Sequence, residues 1–113
     1  MAKSTSFSPI QVISLVASSE LVEHRFIGFN GAPTADSDAV LGVTYLNTKV
    51  NDIAPVITLG TAIIESSEAI AVGDYISTTI DGKAKVTEEG DKANGRAITS
   101  TSGSGFLTIL LTP

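Results

Sequence analysis

The sequence predicts an all-β fold, a small antiparallel β-barrel or sandwich with a flexible N-terminal arm. Three observations carry that prediction. First, residues 69–86 (A-I-A-V-G-D-Y-I-S-T-T-I-D-G-K-A-K-V) set an Asp81-Gly82 pair between two runs of strand-forming residues. Such a pair is a strong hairpin signal. A two-residue type I′ turn needs positive φ at both central positions, and glycine supplies it without steric cost. Second, about eight or nine short apolar runs are punctuated by turn residues every 8–12 positions or so, the pattern of a sandwich or small barrel. Third, no stretch sustains a helical stripe over three turns.

The elements follow in order. Residues 2–8 are small and polar with only Phe7 to bury, and Pro9 closes the segment. They form the arm, residues 1–9, of a single domain spanning 1–113. Residues 10–16 (I-Q-V-I-S-L-V) are rich in β-branched side chains, and both faces are partly apolar, so a strand covered on both sides is expected. Ser18-Ser19-Glu20 caps one short helical turn through Leu21 and Val22. Residues 24–30 form a second strand, with Gly28 marking a bulge or a close approach of backbone. Residues 30–38 read as loop, 40–46 as strand and 47–52 as a polar connection. Residues 55–59 and 61–65 flank Gly60, as one bent strand or as two meeting at a tight turn. In the hairpin, Ile76, Thr78 and Ile80 share one face, and Tyr75, Ser77 and Thr79 the other. An acidic turn covers 88–92. Residues 95–101 and 106–111 are the last strands.

A chain of 113 residues is one domain by size. Only 5% of residues are aromatic and none is Trp, so Ile, Leu, Val and Ala must build the core. The net charge of -5 argues against nucleic acid as a direct partner, because phosphate contacts need clustered cations. Here the seven basic residues are scattered, with Lys83 and Lys85 as the close pair. The absence of Cys excludes disulfides, thiolate metal sites and Cys nucleophiles. The N-terminus is too weakly charged for a signal peptide, and no run is long enough to cross a bilayer. A soluble, unprocessed chain with no membrane partner is expected.

The search for chemistry returns no catalytic, cofactor or metal site. His24 is the single histidine, and no G-x-S-x-G elbow surrounds any serine. Gly103-Ser104-Gly105 lacks the Lys and helix of a phosphate loop and reads as a hairpin turn. Asp36 and Asp38 have calcium-loop spacing without the rest of that motif, and Glu88, Glu89 and Asp91 read as a solvated turn. A small hydrolase would have to use His24 or the pair Glu65 and Glu68, without the aromatic cleft a glycosidase needs. A binding or structural module is the simpler reading, with an arm able to add a strand to a partner's sheet edge.

The order of motifs carries more. Val40-Leu41-Gly42-Val43 is followed by Ala54-Pro55-Val56-Ile57-Thr58-Leu59-Gly60-Thr61-Ala62, then by Ala69-Ile70-Ala71-Val72-Gly73-Asp74-Tyr75-Ile76 and Asp81-Gly82-Lys83-Ala84. Gly95-Arg96-Ala97-Ile98 and a closing Leu107-Thr108-Ile109-Leu110-Leu111 complete the series. Over residues 25–111 this resembles the small capsid decoration, or cement, proteins of tailed bacteriophages. The resemblance implies a β-barrel-like or sandwich body that trimerises on the outer capsid surface of the virion and bridges capsomers of the major capsid protein. It implies that the arm lies on the capsid, with Lys3, Phe7, Pro9 and Ile10 in contact. Ile13 and Leu15 of one strand, with Phe106 and Leu110 of another, are the candidate oligomer interface. A receptor-binding, fibre-type or surface-adhesion module, working through the loop at 30–38, is the competing expectation.

Overall fold

The computed structural model describes residues 9–36 and 38–111, with backbone alone for Pro9 and Ile10. Lys3 and Phe7 lie outside the described residues, whereas Pro9 and Ile10, expected with the arm, open the first strand, where Pro9 lies opposite Gly60. Eight strands run in chain order: β1 (Pro9–Val16), β2 (Phe26–Ile27), β3 (Gly42–Thr44), β4 (Ile53–Ser66), β5 (Tyr75–Thr78), β6 (Ala84–Val86), β7 (Gly95–Ala97) and β8 (Gly105–Leu111). No helix occurs among the described residues.

The architecture turns on β4, which is 14 residues long and serves two sheets. Its first half pairs with β1 on one edge, Leu15 opposite Ala54, and with β3 on the other, Val43 opposite Ile57. Its second half pairs antiparallel with β8, Ala62 opposite Ile109. From there the ladder runs β8–β7–β5–β6, and a parallel bridge from Ala84 to Ser66 returns it to β4. Five strands therefore close a barrel, which removes the free edges of that sheet. The two candidate strands around Gly60 are one strand, and Gly60, at φ 100°, marks the change of partner.

Two apolar clusters hold the layers. Phe26, Val43, Ile57, Ile64, Ile76 and Ile109 are fully buried in the barrel cluster. Each such side chain contributes about 1.5–3 kcal/mol on leaving water. A smaller cluster under the β1–β4 ribbon joins Leu21, Ile27, Ala54 and Val56, with Ile13 and Leu15 packed against it. Buried polar side chains such as Ser77 and Asn94 are paired, as their desolvation requires. Ser77 Oγ donates to the Lys92 carbonyl at 2.7 Å, and Asn94 Nδ2 donates to the Asp38 carbonyl at 2.9 Å.

Four local expectations are corrected. The hairpin turn is not type I′: Gly82 N–H bonds the Thr79 carbonyl at 3.0 Å, and only Gly82 has positive φ, at 83°. The loop is a type I turn closed by a left-handed glycine, the three-residue alternative. The cause is tertiary, because the Gly82 carbonyl takes the Phe26 N–H at 2.7 Å and so ties the turn to β2. Residues 18–22 form no helical turn, and Leu21 instead bridges Thr48. The strands expected over 24–30, 40–46 and 95–101 shrink to β2, β3 and β7, because the chain peels away into loops on either side. Ser77 and Thr78 are buried along with Ile76, while Ile80 is exposed, so the hairpin does not have one simple inner face.

Candidate interaction surfaces

Barrel closure decides which side chains face outward. Along β8, Leu107 and Ile109 point into the core, so Phe106 and Leu110 point out, at 59% and 46% exposure. Across the ladder, Leu110 lies opposite Thr61 on β4 and Arg96 on β7, and Arg96 lies opposite Tyr75 on β5. Phe106 lies opposite Glu65. The Arg96 guanidinium carbon stands 4.7 Å from the centroid of the Tyr75 ring, and its Nε donates to the Gly73 carbonyl at 2.9 Å. Ile98, exposed beside Thr108, extends the same wall. The outer barrel wall thus carries Tyr75, Ile98, Phe106 and Leu110 in the open, with one stacked cation among them. Exposed apolar groups gathered in this way mark contact surfaces in soluble proteins.

Of the sequence-derived interface residues, Phe106 and Leu110 belong to this wall. Ile13 and Leu15 do not join them: they are half-buried and face the smaller cluster, while Val12 and Val16 of the same strand face solvent. Tyr75 and Ile98 were missed by sequence reasoning, although the period-two alternation of β5 against Ile76 could have pointed to Tyr75.

The ionisable groups are engaged in ties between elements. The Glu65 carboxylate accepts from Arg25 Nε at 3.0 Å and meets Lys83 Nζ at 3.7 Å. Glu68 accepts the Val86 N–H at 2.9 Å. His24 holds a left-handed φ of 62°, and its ring meets Phe106 edge-on at 5.6 Å. Its buried Nδ1 has no hydrogen-bond partner among the described groups. Glu65 and Glu68 are thus each committed to a different structural contact. Lys85 gathers the two acidic stretches that look separate in sequence, meeting Asp36 at 3.0 Å and Asp91 at 3.6 Å. Asp38 accepts the following Ala39 N–H at 2.8 Å. Among the described residues no group of three or more acidic or His side chains is placed to hold a metal ion.

The Lys85 bond to Asp36 raises its pKa above 10.5; partial burial opposes the rise, and the charges of Asp36 and Asp91 add to it. A raised folded-state value means the contribution to stability is complete below 10.5 and lost as pH climbs above it. Lys85→Gln is therefore expected to be less stable at neutral pH by about 0.2–1 kcal/mol, the scale of exposed pairs. In urea denaturation the gap to the parent closes above pH 10.5. A gap that persists there would mean the side chain acts by packing alone.

In fold the chain is similar to the N base of head fiber gp8.5 in bacteriophage phi29. The TM-score is 0.74 at 18% identity, over 90% of this chain and 93% of that one. Comparison with curated protein sequences finds no match. The sequence profile of phage cement proteins matches residues 7–112. A match of that extent covers both sheets and all eight strands, and with it the chain belongs to the phage cement proteins, structural components of the virion at its capsid.

Proposed function

We propose that this chain decorates the outside of an expanded phage head as a homotrimer. It bridges capsomers of the major capsid protein and holds the shell against the outward pressure of packaged DNA. The observation that carries the reading is an exposed apolar wall on a barrel of the cement family. Its Phe106 and Leu110, with Tyr75 and Ile98, form the subunit contact. The arm, with Lys3 and Phe7, lies against the capsid together with the start of β1 at Pro9 and Ile10.

The mechanism is linkage. A protein that binds the expanded lattice and not the immature or dissociated one stabilises the expanded state by mass action, about 2.7 kcal/mol per site at a hundredfold excess over Kd. Each trimer engages several subunits, so modest contacts multiply over the shell. The net charge of -5 agrees with a protein that need not touch the enclosed DNA.

The test is to mix the purified chain with undecorated expanded capsids. Full surface occupancy and a raised temperature of capsid disruption are expected. Binding to unexpanded shells with equal affinity, or no binding to either, would overturn the reading. Deleting residues 2–8 is expected to leave the β body folded by circular dichroism and to lower occupancy at least tenfold. The fold likeness to a head-fibre base supports one rival, a fibre-type module. Binding to host cells without binding to capsids would favour it.

A further inference from the structure

The sheet built from β1, the first half of β4, β3 and β2 has a free edge among the described residues. β1 pairs with β4 along one side, and among the described residues no strand pairs with its other side. Among the described residues the cover is confined to the end of that edge, where the Ser18 N–H bonds the Gly31 carbonyl at 3.0 Å. Proteins blunt such edges with charge, proline or bulges, because the open N–H and C=O groups are a template for another strand. β1 carries Pro9 and two register shifts at its start, between Pro9 and Gln11 and between Gln11 and Val12. From Val12 to Val16 the register is regular, and the whole strand, P-I-Q-V-I-S-L-V, holds no charged residue. Val12 and Val16 are 43% and 57% exposed on its outer face, and Ile53, directly opposite Val16 on β4, is 67% exposed.

We infer that the free edge of β1 takes in an extended, uncharged segment of the major capsid protein as an added strand. The inference rests on the capsid-binding reading above and names the chemistry of that contact. A strand laid there sets alternate side chains beside Val12 and Val16 on one face and beside Ile13 and Leu15 on the other, so it must be apolar at alternate positions. A second copy fits the edge poorly. In a three-fold ring each subunit offers one surface to a different surface of its neighbour. The other edge of this sheet is β2, which has two residues, and its Phe26 N–H is already bonded to Gly82. Two β1 edges could pair only about a two-fold axis, giving a closed dimer. Strand addition also accounts for lattice selectivity, because main-chain pairing forms only when the capsid segment is extended and in register.

The experiment is hydrogen exchange over residues 10–16, read by mass spectrometry on the free chain and on the chain bound to expanded capsids. An antiparallel pair bonds alternate residues, so about half of the seven amides of this segment should exchange fast in the free protein. On capsids they are expected to slow at least a hundredfold. The double variant Val12→Lys/Ser14→Lys, at two exposed positions, is expected to stay folded and lose occupancy at least tenfold. Val72→Lys, 65% exposed in the turn before β5, should decorate like the parent. Full occupancy with the fast amides unchanged would overturn the inference and leave the cement function standing. So would amides already slow in the free chain, which would place the arm or a second copy on the edge. Failure of the parent chain to decorate would overturn the function and this inference with it.

Discussion

Gly42→Ala is expected to lower the unfolding free energy by about 3 kcal/mol or more, at the upper end of overpacking costs. A Cβ at this position would stand 2.1 Å from the Ile57 carbonyl oxygen, and 2.9 Å from both the Ile57 carbonyl carbon and Val56 Cγ1. The nearest obstacles are backbone, so no side chain can rotate out of the way. The methyl group must push β3 off β4, and the two share the pairs Val43–Ile57 and Thr44–Val56. That movement reaches further than β3. β2 is held by β3, Phe26 opposite Val43, and Phe26, Val43 and Ile57 are all fully buried in the barrel cluster. Opening the pair therefore uncovers the barrel from one side. The contrast is Gly103→Ala, where an added Cβ would meet nothing within 4 Å beyond its chain neighbours and φ is not positive. That change should be neutral or slightly stabilising, because alanine restricts the unfolded chain. Urea denaturation of the two variants checks both statements. A parent-like midpoint for Gly42→Ala would show that β3 can move without cost.

Close approaches of this kind explain how far the sequence could be read. Gly42 stands out inside V-L-G-V-T as a glycine in a strand, but nothing in that run names Ile57 as the backbone it meets. The hairpin around Asp81-Gly82 was legible from local chemistry alone, since β5 and β6 pair as expected, Ile76 opposite Val86. Its turn type was not legible, because Gly82 is positioned by β2, which lies more than fifty residues earlier in the chain. Residues 28–30 have strand composition and lie outside the strands, and past β7 the pairing of 98–101 thins to bonds with Thr108 and a bridge between Thr101 and Ile70. β-propensity measures fit to a half-buried pleated surface, and only tertiary structure supplies the surface. The division of β4 between two sheets was visible as punctuation at Gly60, without the partners on either side. The site was half legible for the same reason. Alternation in β8 separates Phe106 and Leu110 from Leu107 and Ile109, but closure of the barrel decides which pair is outside. In β1 both faces are partly apolar, so alternation did not separate them, and the pair chosen, Ile13 and Leu15, faces the smaller cluster instead. Lys85 with Asp36 and Asp91 has no signature at all in residue spacing.

The double variant Phe106→Lys/Leu110→Asp is expected to abolish self-association and capsid decoration while leaving the monomer folded. The charges are chosen from the ladder. Lys at 106 faces Glu65 across the β4–β8 pair, and Asp at 110 faces Arg96 across the β7–β8 pair. Opposite charges directly across a strand pair are favourable, and although Glu65 already holds Arg25 and Lys83, the isolated subunit loses mainly apolar surface that was exposed anyway. Buried in an interface, the same groups do harm. Two large apolar side chains are worth about 1.5–3 kcal/mol each on leaving water, and that gain is lost. Two ionised groups must also be desolvated, at several kcal/mol each unless the neighbour supplies partners. A deficit of about 4 kcal/mol is close to a thousandfold in affinity, and a ring of three repeats it at every contact. Circular dichroism and the urea midpoint should match the parent. Sedimentation should report monomer, and occupancy on expanded capsids should fall below detection. A variant that still assembles and decorates fully would move the subunit contact off the β5–β7–β8 wall, and the apolar surface left uncovered there would need another occupant.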